Sequence, residues 1–179
     1  MKAVVIETPR LILRPPQAED LDGFCALMAD EPSARFIGGV QPPEVVWRTL
    51  CVLAGAWTIN GFSMFSVIER ESGRWIGRLG PWQPLGWPGT EIAWGLLPSA
   101  QGKGLATEGA SAAIDYAVDQ AGGTLGLKIH APGRRTASAR WKNMGRVRTD
   151  GRCLAGLAEL ICRATRAQRG SSRSQPTME

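Results

Sequence analysis

Apolar positions along this chain change period several times, and each change marks an element. In PRLILRP (9–15), Leu11 and Leu13 alternate with Ile12 and Arg14, a short strand closed by Pro15 and Pro16. AEDLDGFCALMAD then spaces Leu21, Phe24, Leu27 and Met28 at helical intervals. Pro42 and Pro43 open a second helix through EVVWRTLCVLAGAW, because proline fits a first turn, and Asn60-Gly61 punctuates its end. FSMFSVIER (62–70) returns to period two. ESGRW makes a tight turn, and WIGRLGPW pairs back as an antiparallel hairpin. GWPG breaks the chain before TEIAWGLLP (90–98), a third apolar strand. A glycine-dense turn leads into a helix from about Leu105 to Ala121, where Ala106, Ala110, Ala113, Ile114 and Ala117 form a small-residue face for close packing on a sheet. GLKIH completes the series as a further strand. The order β-α-α-β-β-β-α-β predicts a mixed α/β domain, not a regular βαβ repeat.

A chain of 179 residues has the length for one domain with a full hydrophobic core. No stretch has the length of an uncharged membrane span, and the N-terminus lacks the basic-then-apolar layout of a secretory signal, so a soluble, cytoplasmic protein is expected. Cys25, Cys51, Cys153 and Cys162 are scattered, without CxxC or paired His, so neither a metal site nor a disulfide scaffold is expected. Charge is uneven. Residues 134–179 hold eleven of the 21 basic side chains and only Asp150, Glu159 and Glu179 as acids, a net +8, against −3 for residues 1–133.

The turn QGKGLAT (101–107) has two readings. One is a strand-to-helix connection with glycines for tight turning. The other is a row of backbone N–H groups at a helix N-terminus aimed at an anion, with Gly102 and Gly104 clearing the approach and Lys103 adding charge. A Walker A loop fails because Lys103 precedes Gly104, and a dinucleotide fingerprint fails because Thr107 stands where the third glycine belongs. What remains is Gln101-x-x-Gly104-x-Ala106. That pattern resembles the coenzyme A pyrophosphate loop of the GNAT superfamily of acetyltransferases, Q/R-x-x-G-x-G/A. TPRLILRPPQAEDLDGF is similar to the opening of the branch that includes ribosomal-protein N-terminal acetyltransferases. MFSVIERESGRWIGRLG is similar to that branch's second and third strands, and EIAWGLLPSAQGKGLATEGASAAIDYA to its fourth strand, loop and third helix. The resemblance is continuous over about residues 7–121.

The resemblance implies a GNAT-like mixed, mostly antiparallel sheet flanked by helices. It implies an N-acetyltransferase that moves an acetyl group from acetyl-CoA to a primary amine by direct attack in a ternary complex. Gln101, Gly102, Lys103, Gly104, Leu105, Ala106 and Thr107 would surround the pyrophosphate. Backbone of Trp94, Gly95, Leu96 and Leu97 would pair with the pantetheine arm, with an oxyanion role for an N–H there. The scattered cysteines and lone His130 form no nucleophile–base signature for a covalent route. An amine is mostly protonated at neutral pH, so a base is needed. Glu91, which begins the strand beside the cofactor where several relatives carry a functional Glu, is the candidate; the plainer role is a solvated strand-end carboxylate. Glu108 already has a dipole reason to stand in the first turn of its helix. Trp82, Trp87 and Trp94 gather around the hairpin and fourth strand, with Trp94 suited to the core and the other two to an acceptor wall or a hydrophobic lid. N-terminal peptide amines, antibiotic amines and polyamines are all open as acceptors. Neither a membrane nor nucleic acid is the expected partner, and monomer and homodimer both stand. From another class, the alternative is a non-catalytic acyl-CoA-binding or basic RNA- or ribosome-binding protein.

The resemblance stops in IHAPGRRTASARWKNMGRV. Relatives carry D-P-x-N-x-x-S and a helix ending near E-K-x-G. Here Arg134 stands at the usual Asn, which it cannot replace as an acceptor; no acid precedes Pro132, and Ser138 falls one place late. Trp and Met have single codons, so Trp141–Gly145 is encoded TGG AAR AAY ATG GGN. Read one base earlier, this gives Leu/Met/Val, Glu, Lys/Glu, Tyr/His, Gly, which restores the missing ending. The domain is therefore expected over residues 1–145, with 146–179 a basic, poorly ordered tail, translated out of frame from a slip between about Gly122 and Arg140. A genuine basic tail and a divergent C-terminal half are the competing readings. The nucleotide sequence across codons 120–146 tests the slip: the family ending should lie in the neighbouring frame, and restoring that frame should raise the melting temperature. A neighbouring frame interrupted by stop codons just past 146 would sink it.

Overall fold

The computed structural model describes residues 4–35, 37–87, 89–120 and 128–129. Among these residues one sheet holds six strands in chain order: β1 (Ile6–Glu7), β2 (Leu11–Arg14), β3 (Phe65–Glu69), β4 (Trp75–Trp82), β5 (Glu91–Leu96) and β6 (Lys128–Ile129). The first five pair antiparallel, whereas β6 runs parallel to β5. Helices α1 (Leu21–Ala29), α2 (Glu31–Ala34) and α3 (Pro43–Ile59) lie between β2 and β3 in sequence, and α4 (Leu105–Gln120) lies between β5 and β6. A parallel neighbour needs such a crossover. This is the mixed, mostly antiparallel sheet flanked by helices that the sequence implied. The boundary at 145, the tail after it, His130, Arg134 and Ser138 lie outside the described residues.

Period-two burial follows the pattern of the chain. Leu11 and Leu13 are fully buried, while Ile12 and Arg14 are half-buried. With Phe65, Val67, Leu79, Ile92, Trp94 and Leu96 they form the core beneath α4, each sealed aliphatic side chain contributing about 2 kcal/mol. From α4 itself Ala106, Ala110, Ala113 and Ala117 turn inward, a stripe that recurs at helical spacing. Their small size lets the helix approach closely: a Cβ on Gly109 would lie 2.6 Å from Leu79 Cδ2. On the other side of the sheet a second core joins Phe24, Met28, Val46, Leu50, Leu53 and Met64, with Trp75, Trp82 and Ala93 partly buried against it. Trp82 and Trp94 therefore belong to different cores, and the expected tryptophan gathering divides between the two sides.

Two short elements escaped the pattern, β1 and α2. The second starts at Asp30, whose Oδ2 accepts the Ser33 N–H at 3.0 Å, with Pro32 in the first turn.

The entry to α1 is fixed by a buried carboxylate. Arg14 donates to Asp20 Oδ1 and Oδ2 at 2.7 and 2.8 Å, Ser66 Oγ donates to Oδ2 at 2.7 Å, and the Gln17 N–H donates to Oδ2 at 2.9 Å. Ser66 Oγ in turn accepts Trp75 Nε1 at 3.1 Å, so one network links β2, β3, β4 and the start of α1. Burial raises the Asp20 pKa, but hydrogen bonds from Arg14, Ser66 and Gln17 outweigh it and hold the carboxyl below its ordinary value. A depressed folded pKa stabilises fully above the unfolded value, about 3.9, and is lost as pH falls through the folded one. Asp20→Asn should lower the unfolding free energy by about 3 kcal/mol at pH 7, because it strands the Arg14 guanidinium. Denaturant titrations of both proteins at pH 7 and near pH 3 should show the gap narrowing on acidification; a gap independent of pH would assign the loss to packing.

Candidate active site

Past Leu96 the chain makes a 3₁₀ turn at Pro98–Ala100 and then the glycine-rich turn into α4. Gly102 and Gly104 stand at φ +80° and +77°, a left-handed conformation costly for any residue with a Cβ. At Gly104 the constraint is conformational rather than one of room, since the nearest atom to an added Cβ is Arg10 Nη2 at 3.6 Å. The two turns leave a run of unused donors. Among the described residues no hydrogen bond is made by the backbone N–H of any residue from Gly102 to Thr107; the first N–H engaged is that of Glu108, bonded to Gly104 O at 3.1 Å. These donors sit at the positive end of the α4 dipole. Leu105 and Ala106 are buried, so side chains anchor the turn while its amides stay unsatisfied.

A long-range clamp holds this geometry. Glu108 Oε1 accepts from Thr8 Oγ1 at 2.6 Å and from the Arg10 N–H at 2.9 Å, and Oε2 accepts Arg10 Nε at 2.6 Å. Arg10 Nη1 then donates to Lys103 O at 2.9 Å, tying down a loop carbonyl. Burial raises the Glu108 pKa, yet the bonds from Thr8 and Arg10 prevail and keep the carboxyl below its usual range. The dipole explanation for Glu108 was thus incomplete; its partners lie about a hundred residues away in sequence and left no local trace.

Gln101 braces the other side. Its Nε2 donates to Leu96 O at 2.9 Å and to Ser33 Oγ at 3.2 Å, linking the loop to the end of β5 and to α2. Its own N–H turns back to Pro98 O at 3.2 Å. Gln101 therefore shapes the turn, while the unused amides begin at Gly102. Lys103 is exposed on the turn.

Along β5 the pairing is asymmetric. Residues Glu91 to Leu96 all pair with β4, but the β6 register involves only Glu91 and Ile92 among the described residues. Ala93 to Leu96, which lead to the amide-rich turn, have no β6 partner among the described residues. Trp94 is buried in the α4-side core, with its Nε1 lacking a partner among the described residues. Gly95 takes no side chain onto the α1 side, where a Cβ would lie 3.2 to 3.3 Å from Ile37 and Leu27. Glu91 opens the strand opposite Trp82 and is 8 % exposed, so it is not the solvated strand-end carboxylate of the plainer reading. Five residue steps of strand, about 16 Å, separate it from Leu96. On the loop between β4 and β5, Leu85 is fully exposed and Trp87 44 % exposed, which makes Trp87 a surface group rather than a core one.

Comparison with known proteins bears on this arrangement. The sequence profile of the GNAT acetyltransferase domain matches residues 10–172. No curated protein sequence matches the chain. Among solved structures, an acetyltransferase from Agrobacterium tumefaciens is 25% identical with a TM-score of 0.66, covering 90% of this chain and 84% of its own. A GNAT-family acetyltransferase from Bacillus anthracis is 23% identical with a TM-score of 0.60, covering 70% of this chain and 72% of its own. RimL, a ribosomal α-N-protein acetyltransferase solved with coenzyme A, shares the fold at 16% identity and a TM-score of 0.55, covering 70% of this chain and 73% of its own. With the profile spanning most of its length, and with this sheet and this turn, the chain belongs to the GNAT acetyltransferase family and is an acyltransferase.

Proposed function

We propose that the protein transfers the acetyl group of acetyl-CoA to a primary amine by direct attack in a ternary complex. The observation that carries this reading is the run of unsatisfied N–H groups from Gly102 to Thr107, a site built for a polyanion. The pyrophosphate of coenzyme A supplies the charge, and the exposed Lys103 adds to the field. Among the described residues Ala93 to Leu96 have no β6 partner, which supports a place for the amide-bearing pantetheine arm along Trp94, Gly95, Leu96 and Leu97, in the manner of an added strand.

The chemistry then falls near Glu91. The neutral amine attacks the thioester carbonyl carbon; a C–N bond forms, the C–S bond breaks, and coenzyme A leaves as its thiolate. The amine proton passes to the Glu91 carboxylate, directly or through one water. A backbone N–H of β5 holds the developing oxyanion. Acetyl transfer from a bound thioester to an amine needs no enzyme nucleophile.

Gly104→Val should weaken coenzyme A binding by about a hundredfold, since a β-branched residue resists the left-handed turn and closes the approach to the amides. Isothermal titration measures this; unchanged affinity in a folded variant would falsify the cradle. Glu91→Gln should leave coenzyme A affinity intact and lower kcat by about a hundredfold near neutral pH. The deficit should shrink at higher pH, where the amine deprotonates unaided. A kcat and pH profile identical to the parent would reduce Glu91 to a buried structural acid.

A further inference from the structure

The peptide between Lys103 and Gly104 is not held by its own segment of chain. Gly104 takes φ +77° here, and glycine populates negative φ about as readily, so this peptide plane can turn over at little local cost. Turning it over would reverse its N–H, because the C=O and N–H of a trans peptide point in opposite directions. Helix bonding does not prevent this. An α-helix would give Lys103 O to the Thr107 N–H four residues on, and that N–H makes no hydrogen bond among the described residues. The next peptide is held in just that way, since Gly104 O accepts the Glu108 N–H at 3.1 Å. The regular bonding of α4 therefore begins one peptide too late to fix the Gly104 donor.

Arg10 takes the place of the missing helix bond. Its Nη1 donates to Lys103 O at 2.9 Å, and its Nη2 is 3.6 Å from where a Cβ on Gly104 would stand. The guanidinium thus backs this peptide on its carbonyl side, and the Gly104 N–H points away from it. Arg10 is itself aimed by Glu108, which accepts Nε at 2.6 Å and the Arg10 N–H at 2.9 Å, and Glu108 is fixed in turn by Thr8 Oγ1 at 2.6 Å. A planar fork reaches Glu108 and Lys103 O together; the single nitrogen of an ammonium group does not.

We infer that Arg10 is a positioning residue for the cofactor: it locks the Lys103–Gly104 peptide so that the Gly104 N–H is presented to the coenzyme A pyrophosphate, while Arg10 itself stands behind the turn and touches no ligand. This rests on the acetyl-transfer reading and names a residue 93 positions from Lys103 on which cofactor affinity depends. A hydrogen bond from a charged guanidinium also polarises the peptide it holds, which strengthens the N–H on the far side as a donor. Geometry and charge act through one carbonyl.

The sequence offers a direct probe, because Lys103-Gly104 is its only Lys-Gly pair. The full chain, with lysine isotopically labelled at the carbonyl carbon and glycine at nitrogen, gives a single carbonyl-to-amide NMR correlation, that of this peptide. In the parent, coenzyme A should shift the correlation. In Arg10→Ala the free protein should show it displaced or doubled. Coenzyme A affinity by isothermal titration should fall about tenfold in that variant, as expected for the loss of a charge-assisted hydrogen bond. Arg10→Lys keeps the charge without the fork and should still lose about threefold or more. Parent-like affinity in either variant overturns the inference, and so does a correlation that coenzyme A or Arg10→Ala leaves in place. Should Arg10→Ala not fold, Arg10→Lys decides by the same two readouts. Failure of the acetyltransferase reading shows separately, since the parent itself would then bind no coenzyme A.

Discussion

The Glu108 carboxylate is the point on which the site depends. A turn whose six successive N–H groups take no protein acceptor among the described residues needs its shape fixed by contacts from elsewhere. Glu108 provides them from the first turn of α4, gathering Thr8 and Arg10 from the N-terminal segment. Arg10 passes the constraint on by holding the Lys103 carbonyl. The same pairing solves an electrostatic problem. A bare carboxylate in the first turn of α4 would weaken the positive field of the helix N-terminus, and the Arg10 guanidinium beside it offsets that at short range. Hydrogen bonding and charge therefore act together: the acid that orders the turn is neutralised by the base that completes the ordering.

The two sides of the sheet divide the remaining work. Beneath α4 the packing is almost wholly apolar, with an alanine stripe against Leu11, Leu79 and their neighbours. That contact sets the height of α4 above the sheet, and hence where its N-terminus meets the end of β5. The α1 side mixes apolar packing with charge. Asp20, Arg14 and Ser66 are mutually satisfied there, whereas Arg78 is not. Satisfied polar groups hold an element in register. Arg78 instead sets its guanidinium over the Phe24 ring, with Nε sealed and unpartnered among the described residues.

Much of this was legible locally. The strand periods, the proline-opened α3 and the small-residue stripe of α4 are short-range patterns, and the structure follows them within a few residues. The Gln101-x-x-Gly104-x-Ala106 turn was legible for the same reason: its φ > 0 glycines and helix start are adjacent in sequence. What the chain concealed is long-range. Nothing near Gln101 indicates that its amide will meet Ser33, and nothing near Glu108 announces Arg10, although Arg10 lies in a segment read as a strand and as part of the family resemblance. Nothing local in WIGRLGPW marks Arg78 for burial, because burial on the α1 side depends on α1 itself. β1 is too short for a period to register. Asp30 and Pro32 did carry a helix-start signal for α2, in a stretch where the chain seemed to be leaving a longer helix.

The buried atoms left unsatisfied among the described residues lie on both faces of the sheet. Ser63 Oγ, Arg78 Nε and Trp94 Nε1 lie just before β3, on β4 and on β5, and the free amides follow directly after β5. The three buried side-chain atoms cost stability, whereas the amides of the exposed Gly102 to Gly104 lie in a solvent-facing turn. Two full apolar cores on either side of the sheet supply the margin that tolerates that cost. A ligand on the turn amides would exchange their water for its own acceptors, so its gain would rest on charge and on a geometry already ordered by Glu108, Arg10 and Gln101. Such binding would stabilise the fold in proportion to RT ln(1 + [L]/Kd).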